Sequence, residues 1–156
     1  MARQLWLLRH GDAEPHGTRV DNERRLTDRG EDQARSAGLA LHALGVSPAF
    51  VYTSPKVRAR DTALLACAAL GVKPIEHEPL TSGFDAAEAL VLAASEDDGD
   101  GRVLVVGHEP DFSQVVFDLT GARIDMKKGG IAGVRLDGAR GELIVLLRPR
   151  ELQAMR

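Results

Sequence analysis

Two short apolar runs, Leu5-Trp6-Leu7-Leu8 and Val103-Leu104-Val105-Val106, each stop abruptly at a histidine. The first continues Arg9-His10-Gly11-Asp12 and the second Gly107-His108-Glu109-Pro110. Apolar runs of this length without polar alternation read as strands buried on both faces, the kind found in parallel sheets covered by helices. Such sheets present their chemistry where the strands end. A third run, Phe50-Val51-Tyr52-Thr53, leaves through Ser54-Pro55 into Lys56-Val57-Arg58-Ala59-Arg60. This places Arg58 near a helix N-terminus, where unpaired backbone N–H groups favour an anion. Histidines and arginines gathered at strand ends predict a phosphate pocket. Arginine offers an always-charged planar fork to phosphate oxygens, and imidazole, with an ordinary pKa of about 6.5, is a neutral nucleophile near pH 7. The chemistry expected of them is phosphoryl transfer through a phosphorylated histidine. Spacing alone does not say which histidine attacks.

Between these points the chain alternates helical and strand signals. Residues 13–23 carry Pro15 and Gly17 without periodicity and read as a loop, with His16 a solvated side chain on it. Thr27 is the expected N-cap of a helix with Asp28 and Glu31 in its first turn, Ala34, Ala37, Leu41 and Leu44 along one face, and Gly45 as its end. Gly30 and Gly38 lower its propensity by about 1 kcal/mol each relative to alanine, so packing must hold it; His42 is read as surface. The Arg58 helix stops at Gly71, and Lys73 to Glu78 is an edge strand because of Pro74, with His77 an edge side chain. Asp85 and Glu88 have the spacing of a helix start, and residues 96–101 an acidic, glycine-broken turn read as a solvated connection. Pro110-Asp111 starts a helix carrying Phe112, Val115, Val116 and Leu119 on one face, while Glu109 reads as an exposed turn carboxylate. The alternating segment from Ile131 to Leu136 turns through residues 137–141 into a partner running to Leu147, an antiparallel hairpin added to an otherwise largely parallel sheet. The expected architecture is α/β, a single three-layer domain over residues 1–156 with a mixed, mostly parallel sheet flanked by helices.

Composition bounds the partners. A net charge of -3 over 156 residues predicts neither a nucleic-acid footprint nor a basic membrane surface. The N-terminal apolar run, broken by Arg9 and His10, is too short for a signal-peptide core or a membrane span, so a cytoplasmic protein is expected. One cysteine, Cys67 in an apolar run, excludes an intrachain disulfide and reads as a small buried hydrophobe. The five histidines lack paired metal-ligand spacing, so no metal is expected.

Taken in order, Arg9-His10-Gly11, Ser54-Pro55 with Arg58, and Gly107-His108 resemble the histidine phosphatase (phosphoglycerate mutase-like) superfamily. Arg9-His10-Gly11-Asp12-Ala13, Arg24-Arg25-Leu26-Thr27 and Gly130-Ile131-Ala132 are most similar to its SixA-type phosphohistidine phosphatases. The resemblance implies a phosphoglycerate mutase-like fold and a phosphatase in which His10 is phosphorylated. It also implies that Arg9, Arg58 and Arg24 hold the phosphate oxygens, that His108 donates to them from across the phosphate, and that no cofactor takes part. The substrate implied is a phosphorylated protein of the histidine phosphotransfer type or a small phosphorylated molecule. Arg25 stands where these members often carry proline. In members that cleave phosphate esters a glutamate acting as general acid is expected near residues 80–83; here the loop reads Leu80-Thr81-Ser82-Gly83. That substitution implies a preference for phosphohistidine. Glu14, Asp85 and Glu109 stay open as alternative acids, and a phosphate monoester phosphatase or a non-catalytic phospholigand-binding module remain rival readings.

Overall fold

The computed structural model describes residues 3–94 and 101–156, so the acidic turn lies, apart from Gly101, outside the described residues. Four strands, β1 (Gln4–Arg9), β2 (Phe50–Thr53), β3 (Pro74–Glu76) and β4 (Arg102–Gly107), pair in parallel, and β5 (Ile131–Asp137) and β6 (Arg140–Leu147) complete the sheet antiparallel. The strand order is β3-β2-β4-β1-β5-β6, which puts β1 and β4 side by side at the centre and Pro74 on the edge. Five helices accompany them: α1 (Asp28–Ala43), α2 (Val57–Leu70), α3 (Ala86–Ala94), α4 (Asp111–Thr120) and α5 (Pro149–Met155).

Alternation along the central strands builds the layers. Leu5, Leu7, Val103 and Val105 turn to one face and are sealed by Leu92 of α3 and by Phe112, Val115 and Leu119 of α4. Trp6, Leu8, Leu104 and Val106 turn to the other, against Ala37 and Leu41 of α1, Ala63 and Cys67 of α2 and Leu152 of α5. Both faces are dry, which is why these strands carry unbroken apolar runs. Cys67 is a core residue whose thiol is pushed up to about 11 by burial.

Thr27 caps α1 as expected, its Oγ1 accepting from Gly30 N at 3.1 Å. The two helical glycines are sites of contact between backbones. A Cβ on Gly30 would meet Asp12 O at 2.0 Å, and one on Gly38 would meet Ala66 O at 2.2 Å, so α1 lies directly against the loop leaving β1 and against α2. Leu44 forms the C-cap and stays exposed, so it does not extend the buried face of α1. His77 lies just past β3, its ring 5.9 Å from that of Tyr52. The sequence reading gave no helix after β6, yet α5 forms there: Pro149 sits in its first turn, Glu151 accepts from Arg148 N at 2.8 Å, and Leu152 is fully buried. No helix among the described residues is long and apolar enough to cross a membrane.

Candidate active site

The register of two strands creates the site. Arg9 of β1 is paired with Gly107 of β4, so the next residue on each strand, His10 and His108, leaves the sheet at the same level. His10 N donates to Gly107 O at 3.0 Å, and the two rings lie 5.2 Å apart, centre to centre. From the other neighbour of β1, Gly129 N donates to His10 O at 2.9 Å and Arg9 N donates to Gly130 O at 3.1 Å, which pins the exit of β1 from both sides.

His10 Nδ1 is 2.7 Å from Gly11 O. A carbonyl only accepts, so this nitrogen carries the proton and Nε2 holds the lone pair. Burial lowers the His10 pKa to about 3, with Arg58, Arg9 and Lys128 adding to it and the Gly11 hydrogen bond opposing it. The ring is therefore neutral at pH 7. Burial also takes His108 to about 3, helped by His10, Arg58 and Lys56. Its Nε2 is 2.8 Å from Ser54 Oγ at the exit of β2, while its buried Nδ1 has no hydrogen-bond partner among the described residues.

Three arginines surround these rings, each held by a different anchor. Arg9 Nη1 donates to Met126 O at 2.8 Å. Arg58, in the first turn of α2, donates through Nη1 to Asp21 O at 2.8 Å and reaches Asp21 Oδ2 with Nη2 at 3.3 Å. Arg24 is buried; Nε donates to Asp21 Oδ1 at 3.1 Å and Nη1 to Glu14 O at 2.7 Å. The buried Nε atoms of Arg9 and Arg58 have no partner among the described residues. Buried donors are normally satisfied, so unpartnered guanidinium nitrogens around one pocket are the signature of a site that takes an anion.

A cavity of about 360 Å³ joins these parts. Arg9, His10, Arg24, Arg58 and His108 all line it, with Lys56 and Lys128 as further cations and Thr81 and Ser82 on the rim. The expected site residues are thus gathered in one place, and His42 and His77 are not among its lining. His16 is solvated, as read, but stands on the rim with Nδ1 3.7 Å from Asp21 Oδ1.

Two readings need correction. Glu109 is not an exposed turn carboxylate: it is half-buried, lines the cavity, accepts from Ser113 N at 2.7 Å and also bonds the Ser113 hydroxyl, closing the first turn of α4. The second concerns Asp21, which the sequence reading passed over within an aperiodic loop. It lies in a 3₁₀ turn and is the common partner of Arg24, Arg58 and Lys56, the last at 3.5 Å. Partial burial raises its pKa, but those cations outweigh it and hold the carboxyl at about 2. Arg24 is a local partner, three residues on, but Lys56 and Arg58 come from the start of α2, more than thirty residues away, and nothing near Asp21 in the sequence marks that meeting. Of the other open acids, Asp85 caps α3 through a 2.9 Å bond from Glu88 N and does not line the cavity. Glu14 lines it but accepts from Arg25 N and Arg19 Nε, which keep its pKa low.

Comparison with known proteins agrees with this geometry. The sequence matches the histidine phosphatase superfamily (branch 1) over residues 5–82. An uncharacterized protein of Picosynechococcus sp. is 34% identical, across 96% of this chain and 98% of that one. The solved structure of the protein histidine phosphatase SixA complexed with tungstate is 28% identical and superposes with a TM-score of 0.85, covering 96% of this chain and 99% of SixA. The mycobacterial glucosyl-3-phosphoglycerate phosphatase, 20% identical, shares the fold with a TM-score of 0.73 over 95% of this chain and all of its own. A neutral histidine ringed by arginines at the strand ends, in a fold and sequence shared with these proteins, places the chain in the histidine phosphatase superfamily, as one of its phosphatases.

Proposed function

We propose that the chain is a phosphohistidine phosphatase that works through phosphorylated His10 and acts on protein phosphohistidine. The observation that carries this reading is a buried, neutral imidazole with its Nδ1 proton committed to Gly11 O, set in an arginine-lined cavity whose Thr81–Ser82 rim offers hydroxyls and no carboxylate. His10 Nε2 attacks phosphorus while the substrate's P–N bond breaks. The leaving imidazole, protonated on its other ring nitrogen, departs neutral, so the enzyme need not supply a proton. Water then attacks the phosphorus held on His10, and the P–Nε2 bond breaks to release inorganic phosphate. Arg9, Arg24 and Arg58 neutralise the oxygens through the in-line transfer, and His108 donates to one of them. Expelling an alkoxide instead demands a general acid, worth about 10²–10⁴-fold.

The competing reading, a phosphate monoester phosphatase, rests on Glu109 and Asp111, which also line the cavity. Both are engaged: Glu109 with Ser113, and Asp111 Oδ2 accepting from Phe84 N at 3.3 Å. Two measurements decide. Rapid quench with a phosphorus-labelled substrate is expected to trap acid-labile, base-stable label that is lost in His10→Ala; label persisting in that variant rejects the nucleophile. A kcat/KM for a sugar phosphate equal to or above that for a histidine-phosphorylated protein rejects the substrate class.

A further inference from the structure

Beside the catalytic cavity runs a second, open groove of about 480 Å³, and Arg9 and Lys128 line both. Six cations face it, Arg9, Arg29, Lys127, Lys128, Arg148 and Arg150, against one carboxylate, Asp12. In a chain with a net charge of -3 this is a marked local excess of one sign. Separate parts of the fold assemble it: Arg29 from the first turn of α1, Lys127 and Lys128 from the loop before β5, and Arg148 and Arg150 from the start of α5. The helix that carries the last two is locked to α1 by buried Leu152 and by Arg156, which donates to Ser36 Oγ at 2.8 Å. Arg148, Lys127 and Lys128 each meet one acid, Glu151, Asp125 and Asp12 respectively, whereas Arg29 makes no ion pair among the described residues. The carboxylates of the catalytic cavity, Glu14, Glu109 and Asp111, do not line this groove, so both openings carry an excess of cations and the groove is the less balanced of the two.

We infer that this groove is the docking surface for an acidic face of the phosphorylated protein, engaged while the phosphohistidine occupies the adjoining cavity. The inference rests on the phosphohistidine reading and says how a protein substrate is distinguished from a small one. Apart from Arg9, which is half-buried and serves the catalytic cavity, the cations are exposed and spread over an open surface, so none of these five is built to desolvate and grip a single anion. Individual pairs of this kind contribute little, and their joint field accelerates and orients the encounter with a complementary surface, to an extent that falls with ionic strength. An acidic protein fits better than a nucleic acid because the lining has no aromatic side chain on which a base could stack. Recognition by these cations acts on KM and association, leaving the chemical step to the neighbouring cavity.

The test uses the whole chain and the charge-reversed variant R29E/K127E/R150E, with R29Q/K127Q/R150Q as a milder companion; all three positions are exposed and outside the catalytic cavity. Labelled poly-L-glutamate is expected to bind the wild type at low ionic strength, to release with added salt, and to bind the charge-reversed variant at least about tenfold more weakly. With a histidine-phosphorylated protein, kcat/KM is expected to fall about tenfold through KM in that variant, while free phosphohistidine is turned over within about twofold of wild type. No polyglutamate binding by the wild type, or unchanged binding by the variants, overturns the inference. So does an equal loss on both substrates, tighter binding of a single-stranded oligonucleotide of the same charge, or a wild-type dimer that these substitutions dissolve. If neither phosphohistidine substrate is turned over, the functional reading fails while the polyglutamate arm still decides the groove.

Discussion

At the residue scale the site depends on keeping two imidazoles neutral beside three guanidinium groups. Burial, the proximity of Arg58, and Arg9 or His10 in turn all act against a proton on either ring, which is what the nucleophile and neutral donor proposed above require. The imidazole resonances of His10 and His108 are therefore expected to keep neutral chemical shifts from pH 8 down to 5 in the free enzyme, as NMR of the folded chain can follow; a midpoint near 6.5 for either would show that burial does not govern it. Asp21 acts through other residues rather than on phosphate. Its carboxylate and carbonyl together orient Arg58, and its carboxylate orients Arg24. Asp21→Ala leaves the carbonyl contact in place, so a partial effect is expected: about a 10- to 100-fold loss of kcat/KM, mostly through KM, with Asp21→Asn intermediate. An unchanged KM would show that the arginines hold their positions without it.

At the element scale, what positions the site is the closeness of α1 to its neighbours. Gly11 and Gly30 meet backbone to backbone, since a Cβ on Gly11 would lie 2.5 Å from Gly30 O, and this brings the helix start against the loop that carries His10. Gly38 does the same where α1 crosses α2, the helix that carries Arg58. Gly38→Ala improves helix propensity by about 1 kcal/mol but forces a side chain into the Ala66 backbone, an overpacking that costs about 1–3 kcal/mol or more. Urea denaturation is expected to show net destabilisation, and a gain in stability would refute the close-packing account. The glycines seen in the sequence as weak points of a helix are thus the positions where the helix makes its contacts.

For the whole molecule the same buried groups set acid stability. Each histidine takes a proton at about 6.5 in the unfolded chain but only at about 3 in the folded one, so the unfolded state binds more protons between those values. Stability is then complete above about pH 6.5 and declines as pH falls toward 3. Asp21, held at about 2 against an ordinary 3.8, adds a further loss below about pH 4. Thermal unfolding followed from pH 8 to 4 is expected to show a falling Tm, and His108→Gln should flatten the part of that decline between pH 6.5 and 4. An unaltered slope in the variant would move the origin of acid sensitivity elsewhere.

The sequence by itself determined the strands, the helix faces apart from Leu44, the placement of His10 and His108 at strand exits and that of Arg58 at a helix start, because those features are local: apolar runs, caps and turn residues act within a few positions of one another. The antiparallel hairpin at the end of the chain was equally plain from alternation and its turn. Tertiary structure alone decided the rest. Strand register set the two histidines level; the folding of an aperiodic loop over the sheet edge brought Asp21 to Arg24, Arg58 and Lys56; and the turn into α4 tucked Glu109 into the cavity. Helix α5, short and without an extended amphipathic pattern, is held by tertiary contacts with α1, Leu152 in the shared core and Arg156 on Ser36, beside its own Arg148–Glu151 cap. The deciding contacts, such as Asp21 with Arg58 and His10 beside His108, join residues tens of positions apart, and their energies arise from burial and charge proximity that no window of sequence contains.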